Sequence, residues 1–229
     1  MKEKENLVII HGWGKKNSWE EVLKCLKNNF NIFLIDLPGF DFKLEKPYSF
    51  EDYLVFLESK IKLDKFYLLG HSFGGALSVL YSLKHPEKIK NLILYNPAII
   101  REENLKIKIS KFLSQIFKKI KNKIPDKLSY FIVKFYYKFF IGSYDYFLSD
   151  ENLKQTFKNI RKDLQQEARN LKVKTIMLWG NKDKITPLKH GQKLNQIIKN
   201  SILVVFNGGH SFHKENPQEF CKILTSLLK

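Results

Sequence analysis

At 229 residues, with 44% hydrophobic and 14% aromatic side chains, the chain has the material for one domain with a sizeable core and is too apolar to be disordered. Its 40 lysines and arginines against 23 acids give a net charge of +17, a balance that suits anionic lipid, an acidic protein or nucleic acid. Only Arg101, Arg161 and Arg169 are arginines, the residue type that reads and stacks on bases, so no specific nucleic-acid binding is expected.

The residues from Met1 to Asn6 are of mixed charge and lead into only four apolar residues, which is not a signal peptide; no apolar run is long enough to span a bilayer. A cytoplasmic location is the resulting expectation. Leu7-Val8-Ile9-Ile10 reads as a first strand, closing into His11-Gly12-Trp13-Gly14. The spacing of Trp19, Val22, Leu23 and Leu26 predicts an amphipathic helix over 18–27. A second strand, 32–35, ends at Asp36-Leu37-Pro38-Gly39, where Asp36 reads as a turn former. Ser49 and Asp52 form a variant capping box for a helix over 50–61. Strand 66–69 then runs into Gly70-His71-Ser72-Phe73-Gly74-Gly75, followed by a helix ending at His85-Pro86. A fourth strand, 92–95, ends at Asn96-Pro97.

From 99 to 160 the strand–helix alternation stops. Leu105, Ile109, Phe112, Leu113, Ile116 and Ile120 form one helical stripe, with lysines mostly off it. Residues 128–140 are apolar nearly all round, so a helix there must be covered on several sides or line a cavity. A further helix is predicted over 152–170. Alternation resumes with strand 175–179 ending at Gly180-Asn181-Lys182-Asp183, and a helix starts near Pro187. Strand 202–206 ends at Asn207-Gly208-Gly209-His210, and a last helix follows Pro217. The expected architecture is α/β: six parallel strands with helices on both faces and a helical insertion after the fourth strand. Core residues 1–98 and 161–229 would carry a cap at 99–160. Cys25 and Cys221 lack metal-ligand spacing and read as small core residues in a reducing compartment, with a disulfide as the alternative.

Every chemical candidate falls at the carboxyl end of a strand, where ligands bind in open α/β sheets. Gly70-His71-Ser72-Phe73-Gly74 has the G-x-S-x-G form of a strand–turn–helix nucleophile turn, in which Ser72 is held in a strained backbone. A serine hydroxyl is a weak nucleophile and needs an imidazole base oriented by a carboxylate. Of the six histidines, His210 has the glycine-flanked place directly after a strand. His85 precedes a proline, His190 sits within a helix, and His213 starts the last helix. Asp183 is preferred as the acid over Asn96, whose amide cannot stabilise an imidazolium, and over Asp36. Backbone NH groups of Phe73 and of Trp13 would form an oxyanion hole. The same two residues are the candidate substrate contacts, the Trp13 side chain either walling the acyl pocket or standing at its rim. Neither a metal-ligand cluster nor a phosphate or dinucleotide loop is present in the sequence, so no cofactor is expected.

These motifs, HGWG at 11–14, DLPGF at 36–40, GHSFGG at 70–75, GNKDKITP at 180–187 and GGH at 208–210, resemble the α/β-hydrolase fold family, serine esterase type. The resemblance covers the chain outside the insertion. It implies a triad of Ser72, Asp183 and His210, an oxyanion hole at Trp13 and Phe73, and a cap at 99–160. Members commonly carry two further antiparallel strands ahead of the first, so this chain looks like a minimal version. Asp41 stands where the loop after the second strand often has a glycine. His-Gly-Trp-Gly with Asn17-Ser18-Trp19 is similar to the pimeloyl-carrier-protein methyl ester esterases, which implies an acidic carrier protein gripped by a basic cap. Residues 101–160 hold 13 basic against 6 acidic side chains, although lysine is enriched throughout and fits a coding bias as well as a binding surface.

The expected activity is hydrolysis of carboxylic esters, small or apolar in the acyl part, through an acyl-enzyme. The nucleophile excludes the dehalogenases and epoxide hydrolases of this fold, which use aspartate. Thioester, lipid or C–C substrates would use the same triad. A non-catalytic receptor of the same fold is the alternative class. Segment 105–121 either packs over the active site or lies on an anionic lipid surface.

Overall fold

The computed structural model describes residues 3–14, 16–40, 42–102, 125 and 150–228. Six strands, β1 (Glu5–Ile10), β2 (Phe30–Ile35), β3 (Phe66–His71), β4 (Ile89–Tyr95), β5 (Thr175–Gly180) and β6 (Ser201–Phe206), form one sheet in the order β2-β1-β3-β4-β5-β6. All five pairings are parallel. Side chains alternate between two cores, as the two-residue period of a strand requires. On β1, Leu7 and Ile9 enter one cluster and Val8 and Ile10 the other; on β5, Ile176 and Leu178 are separated in the same way from Met177 and Trp179. Burial on both faces is why these strands read as unbroken apolar runs. The edge strands are less covered, and Phe33, Ile202 and Val205 are exposed there.

Helices cover both faces. A 3₁₀ turn, Lys16–Trp19, leads into α1 (Glu20–Leu26); then come α2 (Phe50–Lys60), α3 (Phe73–Lys84), α4 (Glu151–Asn159), α5 (Gln165–Arg169), α6 (Leu188–Ile197), the short α7 (Phe212–Glu215) and α8 (Pro217–Leu227). Val22 and Leu26 of α1 join Phe220 and Leu224 of α8 in one core, while Tyr53, Leu57, Leu77, Ala168 and Leu194 pack in the other. The expected capping box starts α2: the Asp52 NH donates to Ser49 Oγ at 3.2 Å, and the Ser49 NH donates to Asp52 Oδ2 at 2.8 Å. Such a cap is worth about 1 kcal/mol.

Three expectations change. The single helix over 152–170 is two helices, because the chain between them turns inward to bury Ile160 and Leu164. There the Leu164 NH donates to the Ile99 carbonyl at 3.0 Å, and Asp163 accepts from the Gln165 NH. Cys25 and Cys221, expected to stand apart, are joined as a disulfide between α1 and α8, with Cα atoms 6.5 Å apart; that separation lies within disulfide range. His213 lies in α7, ahead of the last helix. The helical stripe over 105–120, the apolar segment 128–140 and Asp41 lie outside the described residues. Among the described residues no helix is long and apolar enough to cross a membrane.

Candidate active site

β1 and β3 are neighbours, yet the chain leaves them toward opposite edges of the sheet, so a crevice opens above their carboxyl ends. Ser72 sits there, between the last residue of β3 and the first of α3. Its backbone has φ 53° and ψ −115°, a strained combination for a residue with a Cβ, worth about 1–3 kcal/mol. Four backbone hydrogen bonds hold it: the Ser72 NH donates to the Tyr95 carbonyl at 3.1 Å, and the Ser72 carbonyl accepts from Gly75, Ala76 and Ala98. Gly74 lets α3 start against β1, since a Cβ there would come within 2.1 Å of the Ile10 carbonyl oxygen. The Phe73 NH, at the first position of α3, has no acceptor within its helix and is available as a donor.

The loop after β1 lies against this turn. A Cβ on Gly12 would stand 3.1 Å from the Ser72 Cβ and 2.9 Å from His71 Nδ1, so only glycine permits the approach. His11 is buried and its Nε2 accepts from the Leu37 NH at 3.4 Å, tying this loop to the one after β2. The Trp13 ring meets Phe40, Phe73 and Phe157 edge-on, with centroids 4.7, 6.0 and 4.9 Å away. Phe157 belongs to α4, so Trp13 is packed between the loop after β2, the start of α3 and α4.

Asp183, after β5, and His210, after β6, are in direct contact, with Nδ1 2.7 Å from Oδ2. Because the partner is a carboxylate, which can only accept, Nδ1 carries the hydrogen and Nε2 is the nitrogen left facing away from Asp183. Asp183 is buried and accepts three further hydrogen bonds: Oδ1 from the NH groups of Ile185 at 2.7 Å and Thr186 at 2.9 Å, and Oδ2 from the Thr186 hydroxyl at 2.7 Å. Burial by itself would raise its pKa, but the bond to His210 and the Thr186 donors outweigh it and hold the carboxyl below its usual value. Thr186 was missed at the sequence level. The signal was the Asp-x-x-Thr spacing, which lets an aspartate take the hydroxyl and NH three residues on.

Asn96 does not reach the His210 ring. Its Nδ2 donates to the carbonyls of Gly209 at 3.2 Å and His210 at 3.0 Å, and its Oδ1 accepts from the Gly180 NH at 2.9 Å. His71, also unassigned from sequence, donates from Nε2 to the same His210 carbonyl at 2.9 Å. Burial first, then repulsion from His210 and His213, holds its imidazole well below the usual pKa, so the ring is neutral. Ser72 and His210 are thus neighbours through His71, with no hydrogen bond between their own side chains among the described residues; catalytic hydrogen bonds are often long before substrate binds. Of the other histidines, His85 pairs with Glu58 at 2.8 Å, His190 lies 3.5 Å from Glu102, and His213 stacks on Trp19 with its ring 4.9 Å from that of His71.

Comparison with known proteins bears on the fold and the family. A family model described as the alpha/beta hydrolase fold matches residues 5–132. The chain is 28% identical to a pimeloyl-[acyl-carrier protein] methyl ester esterase of Wigglesworthia glossinidia brevipalpis, over 98% of this chain and 93% of that one. It is 27% identical to the protein of the same description in Legionella pneumophila (strain Paris), over 88% of this chain and 85% of that one. Among solved structures, an esterase from Exiguobacterium antarcticum superposes with a TM-score of 0.74 at 20% identity, over 99% of this chain and 92% of that one, a likeness of fold. With its parallel six-stranded sheet, its serine at a strained strand–helix turn and a matching family model over more than half its length, the chain belongs to the α/β-hydrolase fold family.

Proposed function

We propose that the protein is a carboxylic ester hydrolase in which Ser72, His210 and Asp183 form a catalytic triad and turnover passes through an acyl-enzyme. The observation that carries this reading is the 2.7 Å bond from His210 Nδ1 to a buried Asp183 carboxylate, beside the strained turn at Ser72. Ser72 Oγ attacks the ester carbonyl carbon while His210 Nε2 takes the hydroxyl proton. The carbonyl electron pair moves onto oxygen, where the NH groups of Trp13 and Phe73 stabilise it. Collapse of this intermediate breaks the C–O bond to the alcohol, which leaves with the proton from His210. Water, losing its proton to His210, then attacks the acyl-serine, and the acid departs as Ser72 regains its proton. Asp183 stays ionised throughout and stabilises the imidazolium.

Residues 99–160 act as the cap over a core of 1–98 and 161–229. The Leu164–Ile99 hydrogen bond at the base of this segment and the packing of Phe157 on Trp13 support that division. A substrate with an apolar acyl group suits the aromatic ring cluster at Trp13. The two relatives named for a carrier-linked methyl ester, together with 13 basic against 6 acidic residues in 101–160, support an acyl-carrier-linked ester as the physiological form. The test is a panel of p-nitrophenyl esters of varied acyl length and one carrier-linked methyl ester. Wild type should turn over esters from both sets and Ser72→Ala neither; an unchanged rate in Ser72→Ala overturns the assignment. Faster hydrolysis of the carrier-linked ester than of its free counterpart supports the carrier reading, and equal rates count against it.

A further inference from the structure

We propose that His71 and Asn96 are positioning residues for this hydrolysis, jointly holding the main-chain carbonyl of His210 and so fixing the base relative to the nucleophile. The inference rests on the triad reading above and deepens it.

A carbonyl oxygen has two lone pairs, and both on His210 are taken by buried side chains: His71 Nε2–H at 2.9 Å and Asn96 Nδ2–H at 3.0 Å. The loop that carries His210 follows Asn207-Gly208-Gly209, which offers little side chain of its own to fix the orientation of the base. The two donors supply what that loop lacks. His71 directly precedes Ser72, so nucleophile and base are linked by one peptide unit and one hydrogen bond. A carbonyl can only accept, so the hydrogen of the neutral ring is on Nε2. The ring is held in a stack on Tyr95, centroids 4.5 Å apart, and Gly12 passes so near that a Cβ there would stand 2.9 Å from Nδ1.

Asn96 makes the complementary link. Its amide joins the ends of β5 and β6 through Gly180, Gly209 and His210. It does so from a left-handed backbone with φ 42°, a region in which asparagine is among the few side-chain-bearing residues regularly found. The strain is maintained at the place where three strand ends meet, as is common where geometry serves function.

If these bonds only satisfied buried polar groups, their loss would lower stability and leave the chemical step intact. A positioning role predicts that kcat falls while KM does not. His71→Phe keeps the aromatic stack and removes the donor; His71→Gln restores an amide donor near Nε2; Asn96→Gly removes the amide and suits the backbone. With a p-nitrophenyl ester, under conditions where circular dichroism shows each variant folded, His71→Phe and Asn96→Gly should each lose about 100-fold in kcat at unchanged KM, the scale expected for a misplaced catalytic group. His71→Gln should recover most of that loss. The double variant should lose less than the product of the two single losses, since both donors serve one oxygen. Wild-type kcat in Asn96→Gly, or equal losses in His71→Phe and His71→Gln, would overturn the proposal. Should His71→Phe fail to fold, Asn96→Gly and His71→Gln still decide it. Ser72→Ala is measured alongside: turnover surviving there sinks the triad reading, whereas turnover lost there but kept in Asn96→Gly sinks only this inference.

Discussion

Phe157 packs edge-on against Trp13, ring centroids 4.9 Å apart, and so joins α4 to the loop after β1. Trp13 follows Gly12, which lies against Ser72, so the pair stands beside the turn that carries the serine. Phe157→Ala is expected to raise KM for apolar acyl esters several-fold and to change kcat little, because the truncation removes aromatic surface without touching the proposed triad. A series of p-nitrophenyl esters of increasing chain length would read this as a flattened dependence of KM on acyl length.

Asp183 fixes which nitrogen of His210 is protonated. In Asp183→Asn the amide NH₂ can donate to Nδ1 and stabilise the tautomer that places the hydrogen on Nε2, where no proton can be accepted. With Asp183 as the proposed acid, loss of kcat by about 10⁴-fold is expected, the scale known for this change in a Ser-His-Asp triad. Steady-state kinetics on one activated ester, with a folded variant by circular dichroism, is sufficient; a loss below tenfold would contradict the assigned acid.

The Thr186 hydroxyl donates to the same carboxylate oxygen that binds His210. Thr186→Val keeps the shape and removes one charge-assisted hydrogen bond, for which a stability loss of about 1.5–3 kcal/mol is expected. The Asp183 pKa should rise with the loss of a donor to its charged form, so the stability gap between wild type and variant should narrow as pH falls through the carboxylate range. Urea unfolding at neutral and at acid pH measures both effects.

Two buried imidazoles make folding sensitive to acid. Burial, ahead of repulsion from Lys214 and His210, lowers the His213 pKa to about 3, and His71 is lowered for a similar reason. In the unfolded chain each would titrate near about 6.5. Above that pH neither state takes up the proton and stability is complete. As pH falls below it the unfolded state binds protons that the folded state refuses, so each group removes stability, by about 1.4 kcal/mol per pH unit, until its folded pKa is reached. Urea midpoints should therefore decline steadily between pH 7 and 5. His213→Phe, which keeps a ring against Trp19, should show a shallower decline.

Gly74→Ala is expected to destabilise the protein by about 1–3 kcal/mol or to prevent folding, since the new methyl would lie 2.1 Å from the Ile10 carbonyl oxygen and 2.4 Å from that of His11. Thermal melting of the variant checks this.

The fold was legible in the sequence wherever a period exposed it. Leu7 to Ile10 and Thr175 to Trp179 announced buried strands because both faces had to be apolar, and Ser49 with Asp52 announced a helix start because a cap needs those two groups three residues apart. Ser72, Asp183 and His210 were legible as strand-end residues, and the structure brings the last two into contact. Thr186, Asn96 and His71 were not assigned. Asn96 and His71 act on backbone carbonyls across the sheet, and a bond between a side chain and a remote carbonyl leaves no repeat or spacing behind. The break at Ile160–Leu164 was hidden for a related reason: burial against the core, with a bond to Ile99, overrode a continuous helical propensity. The pairing of Cys25 with Cys221 joins helices far apart in the chain, which no local pattern records.

The hydrogen bond from Leu164 to Ile99 has an evolutionary consequence. Where a polypeptide excursion departs and returns at adjacent points, its length can change at little entropic cost to the remainder. Excursions of other lengths and compositions can be exchanged at that gateway without re-registering the sheet. Under the division into core and cap proposed above, the bond-breaking apparatus and the choice of what reaches it can then be inherited on separate schedules, so a lineage can acquire a new diet while keeping its chemistry.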